Sequence, residues 1–482
     1  MHDNARQRYA GRPALFGWIM FDWAAQPVFL LVQTFFFGPY FVAHFIGNPV
    51  VGQTLWSWVI AISGAVIAIM SPVFGAIADR SGRRKIWIAA FSVLLIAGGA
   101  LLWLAVPGSD RVPLIMAAVV LTFVGAEFAT VFTNAMLPSL VPLNKIGRLS
   151  GTGWATGYAG GLIALILFLA LFLPGPAPGQ TMLGVTPLVP LDVTSHEPAR
   201  LTGPIAAFWY LVFVLPFFVL TPDLARRPAQ IAPPGGSRTH IRGAIAEGFS
   251  ELYETLTHIR ANSLIFRFLL ARMLYADGLS AIFAFGAIYA ASTFGWGTTE
   301  LGLFAILLSI TGLIGALLGG MADDRFGSRT VIVTGLIGLL LFAAIVLSID
   351  RSHVGWFFAV MPTSLDGPRL ASTPEWMFIA AAAGLGLTAG PIQSSSRSMM
   401  ARLTPPEKAS EFFGFFAFSG KATAFAAPAA VGLATYLSGS QRIGMSVIAV
   451  FIVAGFLLLI SLDLPRGAGG REPVNAGSAA RP

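Results

Sequence analysis

A short charged phrase occurs twice in the sequence, each time directly after a long apolar run. The first copy runs Gly75-Ala-Ile-Ala-Asp79-Arg80-Ser-Gly82-Arg83, and the second runs Gly320-Met-Ala-Asp-Asp324-Arg325-Phe-Gly327-Ser-Arg329. Both fit G-x-x-x-D-R-x-G, and their first glycines are 245 positions apart (320 − 75). A charged turn between two bilayer-length apolar runs, present once in each half, predicts a duplicated helical membrane protein.

The composition supports a lipid environment for most of the 482 residues. Hydrophobic residues make up 56% of the chain and charged residues 11%, and the mean hydropathy is +0.76. A water-soluble chain of this length could not bury so much apolar surface in its core. The net charge of +8 does not indicate nucleic-acid binding, because the basic residues lie in alternate loops rather than in one patch. We therefore expect the lipid bilayer as a partner, and no nucleic acid.

Twelve apolar runs can cross a bilayer as helices, at about 20 residues per crossing. They predict an all-α membrane protein with twelve transmembrane helices in two pseudo-symmetric six-helix bundles. The predicted domains are an N-terminal bundle at 1–221, a cytoplasmic linker with an amphipathic helix at 222–263, a C-terminal bundle at 264–465 and a disordered tail at 466–482. The predicted spans are 15–45, 55–78, 86–107, 113–136, 152–173, 203–221, 265–291, 301–322, 330–349, 375–396, 412–437 and 443–462.

Lys and Arg are distributed unequally between the two sets of loops. Most of them fall in loops on the side of the two termini and the charged turns. The opposite loops hold only Arg111, Arg200, Arg351, Arg369 and Arg442. The positive-inside rule therefore predicts that both termini are cytoplasmic.

The sequence lacks the motifs of enzymes and metal sites. It contains no cysteine and only six scattered histidines, which leaves no thiolate metal site and no cysteine nucleophile. It has no H-E-x-x-H motif and no Walker loop. We expect a protein that is not an enzyme and that needs no cofactor and no metal.

Three further phrases are similar to parts of a known family. They are Trp18-Ile-Met-Phe-Asp22-Trp23-Ala24, Gly147-Arg-Leu-Ser-Gly-Thr-Gly153-Trp-Ala-Thr-Gly157-Tyr-Ala-Gly-Gly161 and Glu411-Phe-Phe-Gly414-Phe-Phe-Ala-Phe-Ser419-Gly-Lys421-Ala-Thr423. The two halves, the charged turns and the long central loop resemble the major facilitator superfamily. The three phrases resemble its vacuole-effluxer-like branch, whose bacterial members form the unknown major facilitator family.

This resemblance implies a secondary active transporter that moves a small solute by alternating access. The eukaryotic relatives are implicated in exporting amino acids from the vacuole, which favours an amino acid as substrate and export as direction. It further implies ion or proton coupling, a monomer, and a place in the bacterial cytoplasmic (inner) membrane. The alternatives are a transporter-derived receptor or scaffold without transport, and a drug- or lipid-type exporter.

Four ionisable side chains inside the apolar runs are candidates for the substrate or proton site: Asp22, Glu127, Asp277 and Lys421. A charge there costs at least about 2.5 kcal/mol unless it faces a cavity or a partner. For the aspartates the alternatives are binding a substrate cation, binding a proton, or a structural hydrogen bond. For Lys421 they are a pair with Asp22 or Asp277, a substrate carboxylate, or snorkelling. For Glu127 they are a proton, a pair with Lys421, or a packing hydrogen bond.

The two charged turns are candidate gates. Charge pairs at these helix ends could hold one access state and break in the other. A purely topological role of the basic residues is the alternative. The gate candidates are Gly75, Asp79, Arg80, Gly82, Arg83, Gly320, Asp324, Arg325, Gly327 and Arg329.

Overall fold

The computed structural model describes residues 9–175, 177, 179–223, 263–361 and 370–462. The predicted linker helix within 222–263 and the predicted tail at 466–482 lie outside these residues, apart from the linker's end positions. The division into domains therefore stays a prediction.

The described residues form an all-α protein, as the sequence predicts. Within them, eleven helical segments are long and apolar enough to cross a bilayer. The helices in chain order are α1 Arg12–Pro27, α2 Phe37–Tyr40, α3 Pro49–Ser81, α4 Arg84–Leu101, α5 Val112–Leu140, α6 Ile146–Leu171, α7 Glu197–Leu220, α8 Ser263–Phe294, α9 Thr298–Phe326, α10 Ser328–Leu347, α11 Thr373–Leu403, α12 Ala409–Lys421, α13 Ala426–Ser438 and α14 Gln441–Ile460.

The first crossing is one helical segment with π-helical stretches, Val28–Phe35 and Phe41–Phe45, next to α1 and α2. The first of them begins beside Pro27, whose missing N–H and bulky ring disturb the regular hydrogen-bond ladder. The loop between α10 and α11 carries a short antiparallel hairpin of β1 His353–Val354 and β2 Phe358–Ala359.

The predicted eleventh span, 412–437, consists of two helices. α12 ends at Lys421 and α13 begins at Ala426, with a turn at 422–425 between them. Pro428 lacks the N–H that would bond the carbonyl of Ala424, which favours an interruption there. Transporters commonly place such discontinuous helices at their binding sites, because the break exposes polar groups at mid-depth.

Several helices continue beyond their apolar runs into charged sequence. The predicted span 375–396 ends before Arg397, whereas α11 reaches Leu403. Likewise, α3 continues through the charged turn to Ser81 and stops at Gly82, which has a φ of 61°. Glycine adopts this left-handed conformation without the Cβ penalty and so ends the helix.

Glycines let the two halves approach closely at two equivalent places. α3 packs against α12, and α6 packs against α9. A Cβ on Gly75 would overlap the carbonyl oxygen of Ser410, and a Cβ on Gly320 would lie 2.7 Å from the carbonyl oxygen of Gly147. The first glycine of each charged turn therefore lies against the start of a helix in the other half.

We predict that Gly75→Ala destabilises the protein and that Gly64→Ala, on the same helix, does not. A Cβ at Gly64 meets no neighbouring atom within 4 Å. Overpacking at Gly75 should lower the free energy of unfolding by about 1–3 kcal/mol, while Gly64→Ala should be neutral or stabilising because alanine favours helix. Tryptophan fluorescence during thermal unfolding in detergent measures both. Equal midpoints for the two variants would contradict the close approach.

Candidate functional site

Asp22 forms an ion pair with Arg397 of the second half. Arg397 Nη1 lies 2.9 Å from Asp22 Oδ2, and the Arg397 side chain is only 3% exposed. The same nitrogen donates to Asn134 Oδ1 at 3.0 Å, while Nε and Nη2 donate to the hydroxyl and the carbonyl oxygen of Ser150 at 2.9 and 2.6 Å. One guanidinium on α11 therefore holds α1, α5 and α6 of the first half.

The surroundings of this pair make room for it and stabilise its charge. The Arg397 guanidinium carbon lies 5.0 Å from the centre of the Trp18 ring and 5.7 Å from that of Trp154, within the range of cation–π attraction. A Cβ on Gly153 would lie 2.5 Å from Asp22 Oδ2. The glycine-rich phrase of α6 thus leaves space for the ion pair.

Arg397 is not among the site residues predicted from the sequence. The apolar run ends at Ser396, so Arg397 counted as a basic loop residue. The signal that could have found it is the polar run from Gln393 to Ser396, because a helix that continues through this run carries Arg397 into the protein. Tyr158 of the first half also donates to Gln393 Oε1 at 2.8 Å.

A second ion pair joins the halves at mid-depth. Lys421 Nζ lies 2.6 Å from Glu127 Oε1. Glu127 belongs to α5, and Lys421 is the last residue of α12, at the helix break. The side chains are 34% (Lys421) and 19% (Glu127) exposed, so the pair is only partly buried. The partner of Lys421 is thus Glu127 rather than Asp22 or Asp277.

Asp277 differs from the other two mid-depth carboxylates. The residue is 1% exposed, and its Oδ2 has no hydrogen-bond partner in the described part of the chain. Thr423 and Arg272 are its polar neighbours. Arg272 Nη1 donates to the carbonyl oxygen of Phe416 at 2.6 Å and to Ser419 Oγ at 2.7 Å. The Arg272 guanidinium is therefore held mainly by α12.

Asp79 of the first charged turn binds the start of α12 in the second half. Its Oδ1 accepts from the Ser410 N–H at 3.0 Å, and its Oδ2 accepts from the Glu411 N–H at 2.9 Å. Arg84 Nη2 lies 2.9 Å from Asp79 Oδ1, and Arg84 Nε donates to Ser410 Oγ at 2.9 Å. The N–H groups of a first helical turn lack intrahelical acceptors and carry the positive end of the helix dipole, so a carboxylate there is stabilising.

Asp324 of the second charged turn makes the equivalent contact with α6 in the first half. Its two oxygens accept from the N–H groups of Gly147 at 2.8 Å and Arg148 at 3.0 Å. These positions match Ser410 and Glu411 at one offset of 263 (410 − 147; 411 − 148). We call the Asp79–Arg84 cluster the first latch and the Asp324 cluster the second latch.

The cation of the second latch comes from a different place in the sequence. Arg402 Nη2, near the end of α11, lies 3.2 Å from Asp324 Oδ1, and Arg402 also pairs with the buried Asp323. Arg329 of the turn instead donates to the carbonyl oxygen of Ile460 at 2.6 Å. The two latches therefore share their carboxylate and helix start, but not their arginine.

The remaining gate candidates shape the turns or lie at the surface. Gly82 and Gly327 have φ angles of 61° and 85° and end α3 and α9. The exposed candidates are Arg80, Arg83 and Arg325.

Two family models match this chain. The model described as vacuole effluxer Atg22 like covers residues 142–471, and the Major Facilitator Superfamily model covers residues 4–165. The uncharacterized MFS-type transporter YxiO of Bacillus subtilis is 24% identical over 92% of this chain and 93% of its own length. Autophagy-related protein 22-1 of Neosartorya fischeri is 24% identical over 56% of this chain, and the match spans 43% of that fungal protein.

Solved structures share the fold at low sequence identity. The human organic anion transporter MFSD10 has a TM-score of 0.66 at 15% identity, covering 93% of this chain and 99% of that one. The proton:xylose symporter XylE has a TM-score of 0.63 at 14% identity, covering 93% of each chain. An outward-facing bacterial homologue of ferroportin has a TM-score of 0.62 at 16% identity, covering 93% and 98%.

We predict that Arg397→Gln lowers the free energy of unfolding by about 3–5 kcal/mol, because it leaves the Asp22 carboxylate without its cation. Adding Asp22→Asn should recover part of the loss, since the double variant buries no unpaired charge. Denaturation in mixed detergent micelles measures these differences. Strictly additive losses would show that the ion pair has no coupling energy.

Arg442→Gln is the matched control for this experiment. Arg442 Nη2 lies 3.3 Å from Asp350 Oδ2, and both side chains are 35% exposed. Although partial burial opposes ionisation of Asp350, the N–H groups of Ser352 and His353 and the Arg442 guanidinium lower its pKa to about 2. The pair is therefore charged at neutral pH but solvated, and its loss should cost about 1 kcal/mol or less.

Proposed function

This chain belongs to the vacuole effluxer Atg22-like family and is a transporter of the major facilitator superfamily, and from this premise we propose that it exports a small zwitterionic solute of the amino-acid class. The transport is secondary active, works by alternating access and draws on an ion or proton gradient. The protein acts as a monomer in a bacterial cytoplasmic (inner) membrane, with both termini cytoplasmic.

The observation that carries the proposal is the set of charged contacts between the halves. The two latches join each charged turn to a helix start in the opposite half. The pairs of Asp22 with Arg397 and of Glu127 with Lys421 continue the contact to mid-depth. Beyond the break, α13 packs on α14 and α8 rather than extending the α3–α12 contact. This arrangement supports a state closed on the side of the charged turns and open on the other.

Reversible charge contacts suit an interface that must open in each cycle. Opening separates the latch carboxylates from the helix starts and lets water reach both. The lost hydrogen bonds are then offset by hydration of the charged groups. A ligand can then shift the population by its different affinity for the two states.

The Glu127–Lys421 pair supports a zwitterionic substrate. A substrate ammonium group could take the place of Lys421 at the glutamate, and a substrate carboxylate the place of Glu127 at the lysine. Each buried charge would then keep an opposite charge during the exchange, which avoids the cost of an unpaired ion. Export, as direction, rests on the effluxer family to which the chain belongs.

Transport in proteoliposomes tests the proposal directly. We expect counterflow of at least one of a panel of labelled amino acids, and we expect Glu127→Gln and Lys421→Gln each to abolish it. Asp110→Asn, which changes an exposed loop carboxylate, should leave counterflow unchanged. If wild-type protein moves none of the amino acids tested, the proposed substrate class fails, and a lack of transport for other small solutes as well would favour a scaffold.

The absence of cysteine allows a direct test of the latches. Ser394 is 1% exposed behind them, so Ser394→Cys should react slowly with a membrane-impermeant maleimide applied from the side of the charged turns. Adding Asp79→Asn and Asp324→Asn should raise the labelling rate by about fivefold or more, because each removes charged hydrogen bonds that favour the closed state. Adding Asp110→Asn is the control. An unchanged rate in the latch variants would refute the gating role.

A further inference from the structure

Among the residues that the structure describes, Asp277 is the mid-depth carboxylate without an ion pair. Asp22 pairs with Arg397, and Glu127 pairs with Lys421. No ion pair of Asp277 occurs among residues 9–175, 177, 179–223, 263–361 and 370–462, and its Oδ2 makes no hydrogen bond there. A buried carboxylate without an ion pair is costly while it is ionised, so a ligand that removes the charge stabilises this site.

Of the polar side chains near Asp277 in the described residues, all but one already have another hydrogen-bond or ion-pair partner. On α8, Arg272 is held by Phe416 and Ser419 of α12. Tyr275, also on α8, shares a 2.7 Å hydrogen bond with Ser396 of α11.

The remaining side chain, Thr423, lies in the helix break. Lys421, before the break, is paired with Glu127 of α5, and from α14 the apolar Ile452 packs against Gly278. Thr423, inside the break, lies beside Asp277, and its Oγ1 is buried without a hydrogen-bond partner in the described part of the chain.

This environment suits a proton rather than a metal cation. A bound metal cation needs several oxygen ligands, and hard cations commonly take six or more. Asp277 and Thr423 supply few. A proton needs one carboxylate oxygen. Once protonated, the carboxyl becomes a donor, and the Thr423 hydroxyl can accept its hydrogen.

We propose that Asp277 is the proton-binding site of this transporter. We further propose that its protonation state affects the α12–α13 break through a hydrogen bond with Thr423. In the step, a hydronium ion gives its proton to Asp277 Oδ2 and leaves as water, so an O–H bond forms and the carboxylate charge disappears. The new O–H donates to Thr423 Oγ1. Proton binding thereby reverses which group can donate between α8 and the break, because the ionised carboxylate can only accept from Thr423. It also weakens the attraction of Asp277 for Arg272. The coupling part of this inference rests on the proposed transport function.

Infrared difference spectroscopy tests the site without any substrate. Purified protein in nanodiscs is taken through a pH step, and the carboxylic C=O stretch is compared in H₂O and D₂O. We expect one such band to be lost in Asp277→Asn, kept in Asp110→Asn and shifted in frequency in Thr423→Val, which removes the acceptor. Asp277→Glu should retain a band, which guards against misfolding of the asparagine variant. A spectrum in which Asp277→Asn keeps every carboxylic band overturns the proposal.

Transport then tests the coupling. With a pH gradient of about one unit, one proton exchanged per substrate can drive about tenfold accumulation, measured with the labelled amino acids that show counterflow. Asp277→Asn should lose this accumulation and keep counterflow, which needs no gradient. Retained accumulation in Asp277→Asn, or accumulation driven by a sodium gradient instead, overturns the inference. A wild-type protein without counterflow contradicts the proposed function instead, while the infrared result still decides whether Asp277 binds the proton.

Discussion

The structure depends on carboxylates that bind helix starts across the interface between the halves. Asp79 and Asp324 each accept two backbone N–H groups of a helix in the opposite half. A helix start offers unpaired donors and a partial positive charge, so each contact combines hydrogen bonding with the helix dipole. Because each aspartate follows a close-packed glycine, Gly75 or Gly320, the backbones can come near enough for these contacts.

The charged residues deeper in the protein also join the two halves. A charge at mid-depth must find an opposite charge or become neutral. Arg397 and Lys421 of the second half meet Asp22 and Glu127 of the first, so the charges that would be costly alone become contacts between the halves. A change of access state that separates the halves must rearrange these pairs, which links the charge at each position to the conformation of the whole protein.

Much of the fold could be predicted from the sequence, while the partners of its charges could not. Hydropathy located the helices, since lipid requires every backbone group to bond within its own helix. The repeat of the charged turns pointed to two equivalent gates. Arg84 and Arg402 were not predicted as the latch cations, because the first copy of the motif carries two nearer arginines, Arg80 and Arg83, and because Arg402 lies on a separate helix.

The sequence by itself determined the membrane class, the helical segments, the duplication and the set of candidate side chains, because composition and periodicity act locally along the chain. Only the tertiary structure decided that Asp22 pairs with Arg397, that Lys421 pairs with Glu127 and that Asp277 has no ion pair within the described residues. Those outcomes depend on how far α11 continues past its apolar run and where Pro428 divides the following span. The length of α11 and the position of the helix break determine which side chains meet, although the partners are several hundred residues apart in the chain. Local sequence does not specify such long-range contacts.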